Sequence, residues 1–160
     1  MREKKVRVAV NGYGVIGKRV ADAVAKQDDM ELVGVSDVVV DYRIRVAAER
    51  GYDIYASVPD KRNEMEAAGL PIAGTLDDLL KQVDIVVDAT PKGIGAKNKP
   101  TYERHGVKAI WQGGEKHDLA GFSFCAQVNY EQALGRQYAR VVSCNTTGLC
   151  RIMNALHKRR

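Results

Sequence analysis

Val6-Arg7-Val8-Ala9-Val10-Asn11-Gly12-Tyr13-Gly14-Val15-Ile16-Gly17 decides the fold of this 160-residue chain. Its first six residues alternate β-branched side chains as a strand does, and the glycines give the spacing G-x-G-x-x-G where that strand must turn into a helix. Such a loop is built for a dinucleotide. Gly12 allows the tight turn, Gly14 lets backbone approach a pyrophosphate, Gly17 lets helix pack on strand, and the unpaired N–H groups of the helix N-terminus face the phosphates. A glycine-rich turn without a ligand has the same spacing, so the rest of the chain must discriminate.

After Gly17, Ile16, Val20, Ala23 and Val24 share one helical face, and Glu31 to Ser36 reads as a second strand. Asp37 ends it, twenty positions after Gly17, where a dinucleotide fold places an acidic side chain to accept from the ribose hydroxyls. A carboxylate there favours NAD over NADP, because it repels a 2′-phosphate; an Asp that only caps a turn is the competing reading. Arg43 and Arg45 follow closely enough to approach an adenine, and read otherwise as a solvated helix face. Helices over 41–50 and 61–68, short strands at 54–57 and 72–73, and a capping box at Thr75 to Asp78 complete the first half.

Val83 to Pro91 is an almost continuous apolar run, the mark of a central parallel strand covered on both faces. Thr90 and Pro91 at its carboxyl end face the ligand crevice or simply form a turn. A helix is expected from Ala96 to His105 with Pro100 near its first turn, then a strand from Val107 to Trp111. Gly113 and Gly114 follow it, as a plain turn or as backbone approaching the far end of a cofactor. A strand is expected within 122–128, with Cys125 in it, and a short helix from Tyr130 to Leu134. Tyr138 to Ser143 is a last strand, and Cys144 stands where it passes into a helix. At a helix N-terminus the N–H groups and the dipole favour a thiolate, the competent nucleophile. Cys144 is therefore ranked above Cys125 and Cys150. The expected architecture is α/β, a Rossmann-type doubly wound, mostly parallel sheet, with residues 1–143 as the dinucleotide-binding domain and 144–160 as the cysteine helix and basic tail.

Composition excludes several classes. With 45% apolar and 28% charged residues the chain is globular, and no run approaches the length of a membrane span. Three cysteines suit neither a disulfide framework nor a zinc site, so no metal is expected and the setting is cytoplasmic. The net charge of +5 sits at the two ends, leaving 19 charges of each sign between residues 6 and 157, so no nucleic-acid partner is expected.

The sequence resembles the archaeal-type, phosphorylating glyceraldehyde-3-phosphate dehydrogenases. The likeness rests on Asn11-Gly-Tyr-Gly-Val-Ile-Gly-Lys-Arg19, on Asp88-Ala-Thr-Pro91, on Gln112-Gly-Gly-Glu-Lys116 and above all on Ser143-Cys-Asn-Thr-Thr-Gly148. It implies that Cys144 is the catalytic cysteine, adding to the aldehyde to form a thiohemiacetal and then, after hydride leaves, a thioester open to inorganic phosphate. By the same implication Ser143 and Asn145 contact a triose phosphate, Val15 and Ile16 the pyrophosphate through backbone, and Gly113 or Gly114 the nicotinamide end. Asp37 departs from the Lys that many archaeal members carry there, a residue suited to NADP, which moves the expectation towards NAD. The full-length family is expected to be a homo-oligomer. Its second, catalytic domain, with the histidine base and the phosphate-binding arginine, has no counterpart in this sequence. Little or no turnover is therefore expected of the isolated chain. The alternatives are a stand-alone NAD-binding or thiol redox-sensing module, and part of a related semialdehyde dehydrogenase.

Overall fold

The computed structural model describes residues 4–112 and 114–159. Strand β1 (Val6–Asn11) leads through helix α1 (Val15–Val24) to β2 (Met30–Asp37), and α2 (Tyr42–Glu49) to β3 (Ile54–Ala56). A 3-10 turn at Pro59–Lys61 and α3 (Arg62–Ala67) precede β4 (Ile72–Thr75) and α4 (Leu76–Leu80). The second half runs β5 (Ile85–Asp88), α5 (Ile94–His105), β6 (Lys108–Trp111), α6 (His117–Ala120), β7 (Ser123–Phe124), α7 (Ala126–Ala133), β8 (Tyr138–Val141) and α8 (Cys144–His157).

All eight strands join one sheet in the order β4-β3-β2-β1-β5-β6-β8-β7, and every pair is parallel. Burial follows the period of a strand. Val8 and Val10 face α1 and α2 in one core with Ala21, Val24, Ile44 and Met65. Ala9 faces the opposite core with Leu79, Leu80, Tyr102 and Trp111 of the α4–α5 side. With helices on both faces, β1 is buried from Val8 to Asn11 on both sides, as a doubly wound sheet requires. No helix among the described residues is long and apolar enough to cross a membrane. Leu149, Ile152, Met153 and Leu156 form an exposed apolar stripe along α8.

The capping box of α4 is present. The Asp78 carboxylate accepts from the Thr75 N–H at 3.1 Å and its hydroxyl at 2.8 Å. Those bonds, with Lys81 beside them, hold it at about 2, below its ordinary 3.8. A carboxyl lowered on folding stabilises the protein above its unfolded value and loses that contribution as the pH falls through the folded one. Asp78→Asn should therefore flatten the pH dependence of stability between about pH 4 and about pH 2. An unchanged slope in acid-unfolding curves would exclude the box as its source.

Four local expectations differ. The strand sought within 122–128 is only Ser123–Phe124, and Cys125 caps α7 instead of lying in a strand. The cause is Asn129, whose side chain accepts from the Cys125 N–H at 2.9 Å and donates to the Ser123 carbonyl at 3.0 Å, folding the chain back on itself. Helix α5 starts two residues before Ala96, so Pro100 lies inside it, on the exposed side, and not in its first turn. Gly93, at φ +85°, makes that earlier start possible. His105, which its place at a helix end marks in the sequence as a solvated surface residue, instead hydrogen-bonds its ring to Asp77 at 2.7 Å with little exposure.

Candidate nucleotide cleft and thiol edge

From β1 the chain winds outward to one side as far as β4, then returns to the other side of β1 to form β5. Between β1 and β5 the strand order reverses, and open α/β sheets bind ligands at such a switch point, beyond the carboxyl ends of the strands. A cleft of about 580 Å³ lies there. Its walls are Gly12 to Ile16 without Tyr13, the end of β2 from Asp37 to Val39 with Arg43, Ser57 and Val58 after β3, and Thr90, Pro91, Ile94 and Asn98 beyond β5.

The three glycines differ in what holds them. Gly12 takes φ +91°, and a Cβ on it would come within 2.9 Å of the Ala89 and Thr90 backbone. A Cβ on Gly17 would lie 1.8 Å from the Gly12 carbonyl oxygen, so α1 packs on the turn only without a side chain there. Gly14 has no such neighbour; the nearest atom to its Cβ position is Arg43 Nη1 at 3.9 Å. It caps α1, where no side chain accepts from the first-turn N–H groups and no acidic residue stands, leaving those donors to the cleft. Tyr13, expected at the cofactor, does not line the cleft: its ring is buried in the α1–α2 core and its N–H is taken by Asp37.

Asp37 lines the cleft and also fastens it. Its Oδ2 accepts from the Tyr13 N–H at 2.6 Å, and its Oδ1 from the N–H groups of Val38 at 2.7 Å and Val39 at 3.3 Å. A carboxylate has about four acceptor positions, which leaves one for a ribose hydroxyl. This pinning of the glycine loop is invisible to a spacing rule.

Beneath the cleft runs a buried polar chain. The Ser36 and Ser57 hydroxyls donate to Asn11 Oδ1 at 2.9 and 2.7 Å, and Asn11 Nδ2 donates to the Tyr102 hydroxyl at 2.8 Å. Tyr102 donates onward to Asp88 Oδ2 at 2.7 Å, beside Asn98 Nδ2 at 2.9 Å. Thr90 closes the chain, its N–H and hydroxyl donating to Asp88 Oδ1 at 3.0 and 2.5 Å. Burial, reinforced by the Asp88 charge, pushes the Tyr102 hydroxyl far above the usual phenol range, so it remains a donor. Sequence reading gave Asn11, Asp88 and Asn98 no role. The available signal was Asp88 itself, a carboxylate inside an apolar strand run.

Because every strand is parallel, the thiol and the cleft open on one edge of the sheet. Cys144 is exposed at the first position of α8, just beyond β8, three strand spacings from β1, or roughly 14 Å along the sheet. Ser143 caps the helix, its hydroxyl accepting from the Thr146 N–H at 3.3 Å, while Asn145 Oδ1 lies 3.9 Å from the thiol sulfur. Gly114 follows β6, between the cleft strand β5 and the thiol strand β8, against the Lys92 side chain. Gly113 lies outside the described residues. Beside Gly114, the buried Glu115, also unassigned from sequence, accepts from the Gly93 N–H at 2.6 Å and so anchors the turn after Pro91. His117 bonds to the Ser123 hydroxyl at 2.9 Å, level with Arg140 in β8; no histidine among the described residues bonds to Cys144.

Comparison with known proteins bears on both features. A family model described as "Dihydrodipicolinate reductase, N-terminus" matches residues 6–114, about two thirds of the chain, which takes in the whole lining of the cleft and leaves out Cys144. The glyceraldehyde-3-phosphate dehydrogenase of Methanothermobacter thermautotrophicus is 58% identical over 151 residues, 94% of this chain. That match spans 45% of the relative, so the chain is less than half as long as the proteins it resembles. Among solved structures, apo scyllo-inositol dehydrogenase from Lactobacillus casei superposes with a TM-score of 0.55 at 15% identity, covering 88% of this chain and 37% of that one, which speaks for the fold alone. The WlbA dehydrogenase from Chromobacterium violaceum, in complex with NADH and UDP-GlcNAcA, gives 0.51 at 25% identity, covering 70% and 28%.

Proposed function

Since the chain belongs to the family of dihydrodipicolinate reductase N-terminal domains and corresponds in sequence to the nucleotide-binding part of archaeal-type glyceraldehyde-3-phosphate dehydrogenases, we propose that it holds a pyridine dinucleotide for oxidation of an aldehyde by Cys144. The observation that carries this reading is the cleft at the β1–β5 switch point, with an uncapped α1 N-terminus at one wall and the exposed thiol on the same sheet edge.

The residues present fit the cofactor. The α1 N–H groups of Val15 and Ile16 take the pyrophosphate, in the room that Gly14 leaves. Asp37 offers its remaining acceptor to the adenosine ribose, which favours NAD over NADP. Thr90, Pro91 and Gly114 lead toward the nicotinamide end. When bound, NAD supplies the hydride acceptor. Cys144 loses its proton and adds to the carbonyl carbon of a triose phosphate as a thiohemiacetal; loss of hydride leaves a thioester on the sulfur, which inorganic phosphate cleaves. Ser143 and Asn145 flank the substrate. A cytoplasmic setting keeps the thiol reduced. With no base bonded to Cys144 among the described residues, the isolated chain binds nucleotide and turns over little or not at all, and the homo-oligomer belongs to the full-length enzyme.

The test combines equilibrium titration with NAD, timed alkylation, and NADH formation from glyceraldehyde 3-phosphate, NAD and phosphate. NAD should bind, Cys144 should alkylate well before the buried Cys125, and NADH should not exceed about one equivalent per chain. Absence of nucleotide binding would remove the cofactor assignment. Sustained turnover at ordinary enzyme rates, on the order of 10 per second, would remove the claim about the isolated chain.

A further inference from the structure

Glu115 stands in the turn after β6, the strand between β5 and β8, and is only 7% exposed. Toward the cleft, its Oε1 accepts from the Gly93 N–H at 2.6 Å. Gly93 caps α5, a helix that supplies no side-chain cap and no acidic residue in its own first turn, so the carboxylate its N-terminus favours comes from another strand. The first turn of α5 lies directly on that contact. A Cβ on Gly95 would come within 3.1 Å of Glu115 Oε1 and 2.6 Å of the Trp111 ring, and Trp111 Nε1 donates to the Gly95 carbonyl at 3.2 Å. Pro91 and Ile94, on either side of Gly93, wall the cleft. Toward the thiol, the Glu115 carbonyl accepts from Arg140 Nη1 at 2.7 Å, while Arg140 Nε donates to the Ser123 hydroxyl at 2.8 Å. Arg140 belongs to β8, the strand that leads into Cys144.

We propose that Glu115 is a positioning residue, a strut from the Pro91–Ile94 wall of the cleft to β8 that sets how the nicotinamide end of a bound dinucleotide stands relative to Cys144. The inference rests on the dinucleotide and thiol readings given above. The groups assigned to the pyrophosphate and the adenosine ribose lie on α1 and β2, away from the strut, so cutting it displaces one end of the ligand and spares the other. Its two ends are separable. The side chain holds Gly93, and a glutamine oxygen accepts from the same N–H; the backbone carbonyl holds Arg140 whatever the side chain is.

The experiment uses a dinucleotide carrying a chloroacetyl group on its pyridinium ring. From the cleft it presents a CH₂–Cl carbon to Cys144; the thiolate sulfur forms the S–C bond as chloride leaves, and the rate at saturation reads the alignment of the two groups. ADP-ribose, which lacks the ring, reads the rest of the cleft, and iodoacetamide reads the thiol itself. The unaltered chain should be labelled at Cys144 at a saturable rate that NAD suppresses. Glu115→Ala should lower the saturated rate about tenfold or more, with ADP-ribose affinity and iodoacetamide rate within about twofold of the unaltered chain, and Glu115→Gln should restore it to within about threefold. Arg140→Gln cuts the other end and should lower it too, which decides the matter if Glu115→Ala does not fold. Unchanged labelling in either folded variant, or a loss of ADP-ribose affinity in Glu115→Ala as large as the loss of labelling, would overturn the role given to Glu115 while leaving the cleft and thiol readings standing. An unaltered chain that binds neither NAD nor ADP-ribose, or binds the analogue without labelling of Cys144, would overturn those readings and the strut with them.

Discussion

Gly17→Ala should lower the stability of the chain by about 3 kcal/mol or more, roughly 6–12 °C in the unfolding midpoint, and should abolish nucleotide binding with it. The added Cβ would stand 1.8 Å from the Gly12 carbonyl oxygen, which is backbone and cannot rotate away. Either α1 lifts from the sheet or the β1–α1 turn opens, and both displace the N–H groups that the phosphates need. Gly14→Ala makes the opposite demand. Its Cβ meets only Arg43 Nη1 at 3.9 Å, its φ of −74° suits any residue, and an alanine at the helix cap costs under about 1 kcal/mol. Yet that Cβ enters the space assigned to the pyrophosphate, so affinity for NAD should fall about tenfold or more while the fold survives. Thermal unfolding and NAD titration of the two variants separate a glycine the fold requires from a glycine the ligand requires. Unaltered NAD affinity in Gly14→Ala would mean the phosphates lie elsewhere.

Asp88→Ala is expected to be nearly as severe. The carboxylate is buried, takes part in no ion pair among the described residues, and accepts from Thr90 twice, from Asn98 and from Tyr102. Its removal leaves four donors without their acceptor, the Tyr102 hydroxyl fully buried and those of Thr90 and Asn98 partly so, a loss of about 2–3 kcal/mol after the relief of burying a charge. Because Thr90 and Asn98 also wall the cleft, NAD binding should weaken in the same variant. Asp88→Asn keeps the size but puts an NH₂ group against donors, so it should fall between the two. A midpoint within about 2 °C of the unaltered chain for Asp88→Ala would show that the polar chain beneath the cleft is not supporting it.

Much of this was legible because β1 and α1 carry their signals locally. An alternating apolar run, three spaced glycines and an acidic residue twenty positions later specify strand, turn, helix and strand, and the parallel sheet follows from burying those strands on both faces. Tyr13 and Asp37 mark where local reading stops. The spacing puts both at the loop, but only the packed structure turns the Tyr13 ring into the core and commits most of the Asp37 acceptors to backbone. Asn11, Asp88 and Asn98 lie in β1, β5 and α5, and their association is a product of strand order, which no single stretch encodes. The region 122–133 failed for a similar reason: one Asn129 side chain, bonding back to Ser123 and Cys125, outweighs an apolar run that favours extension. The position of Cys144 was legible because the junction of β8 and α8 is local, while its chemistry rests on the proposal.

The account's central claim, that the β1–β5 switch point holds a dinucleotide with its phosphates on the α1 N-terminus, is tested most directly by amide chemical-shift mapping of the chain during titration with NAD. Saturable shifts concentrated at Gly12 to Gly17, Asp37 to Val39 and around Thr90 are the predicted result. Saturable binding that leaves those amides unmoved, or no binding at all, would contradict it.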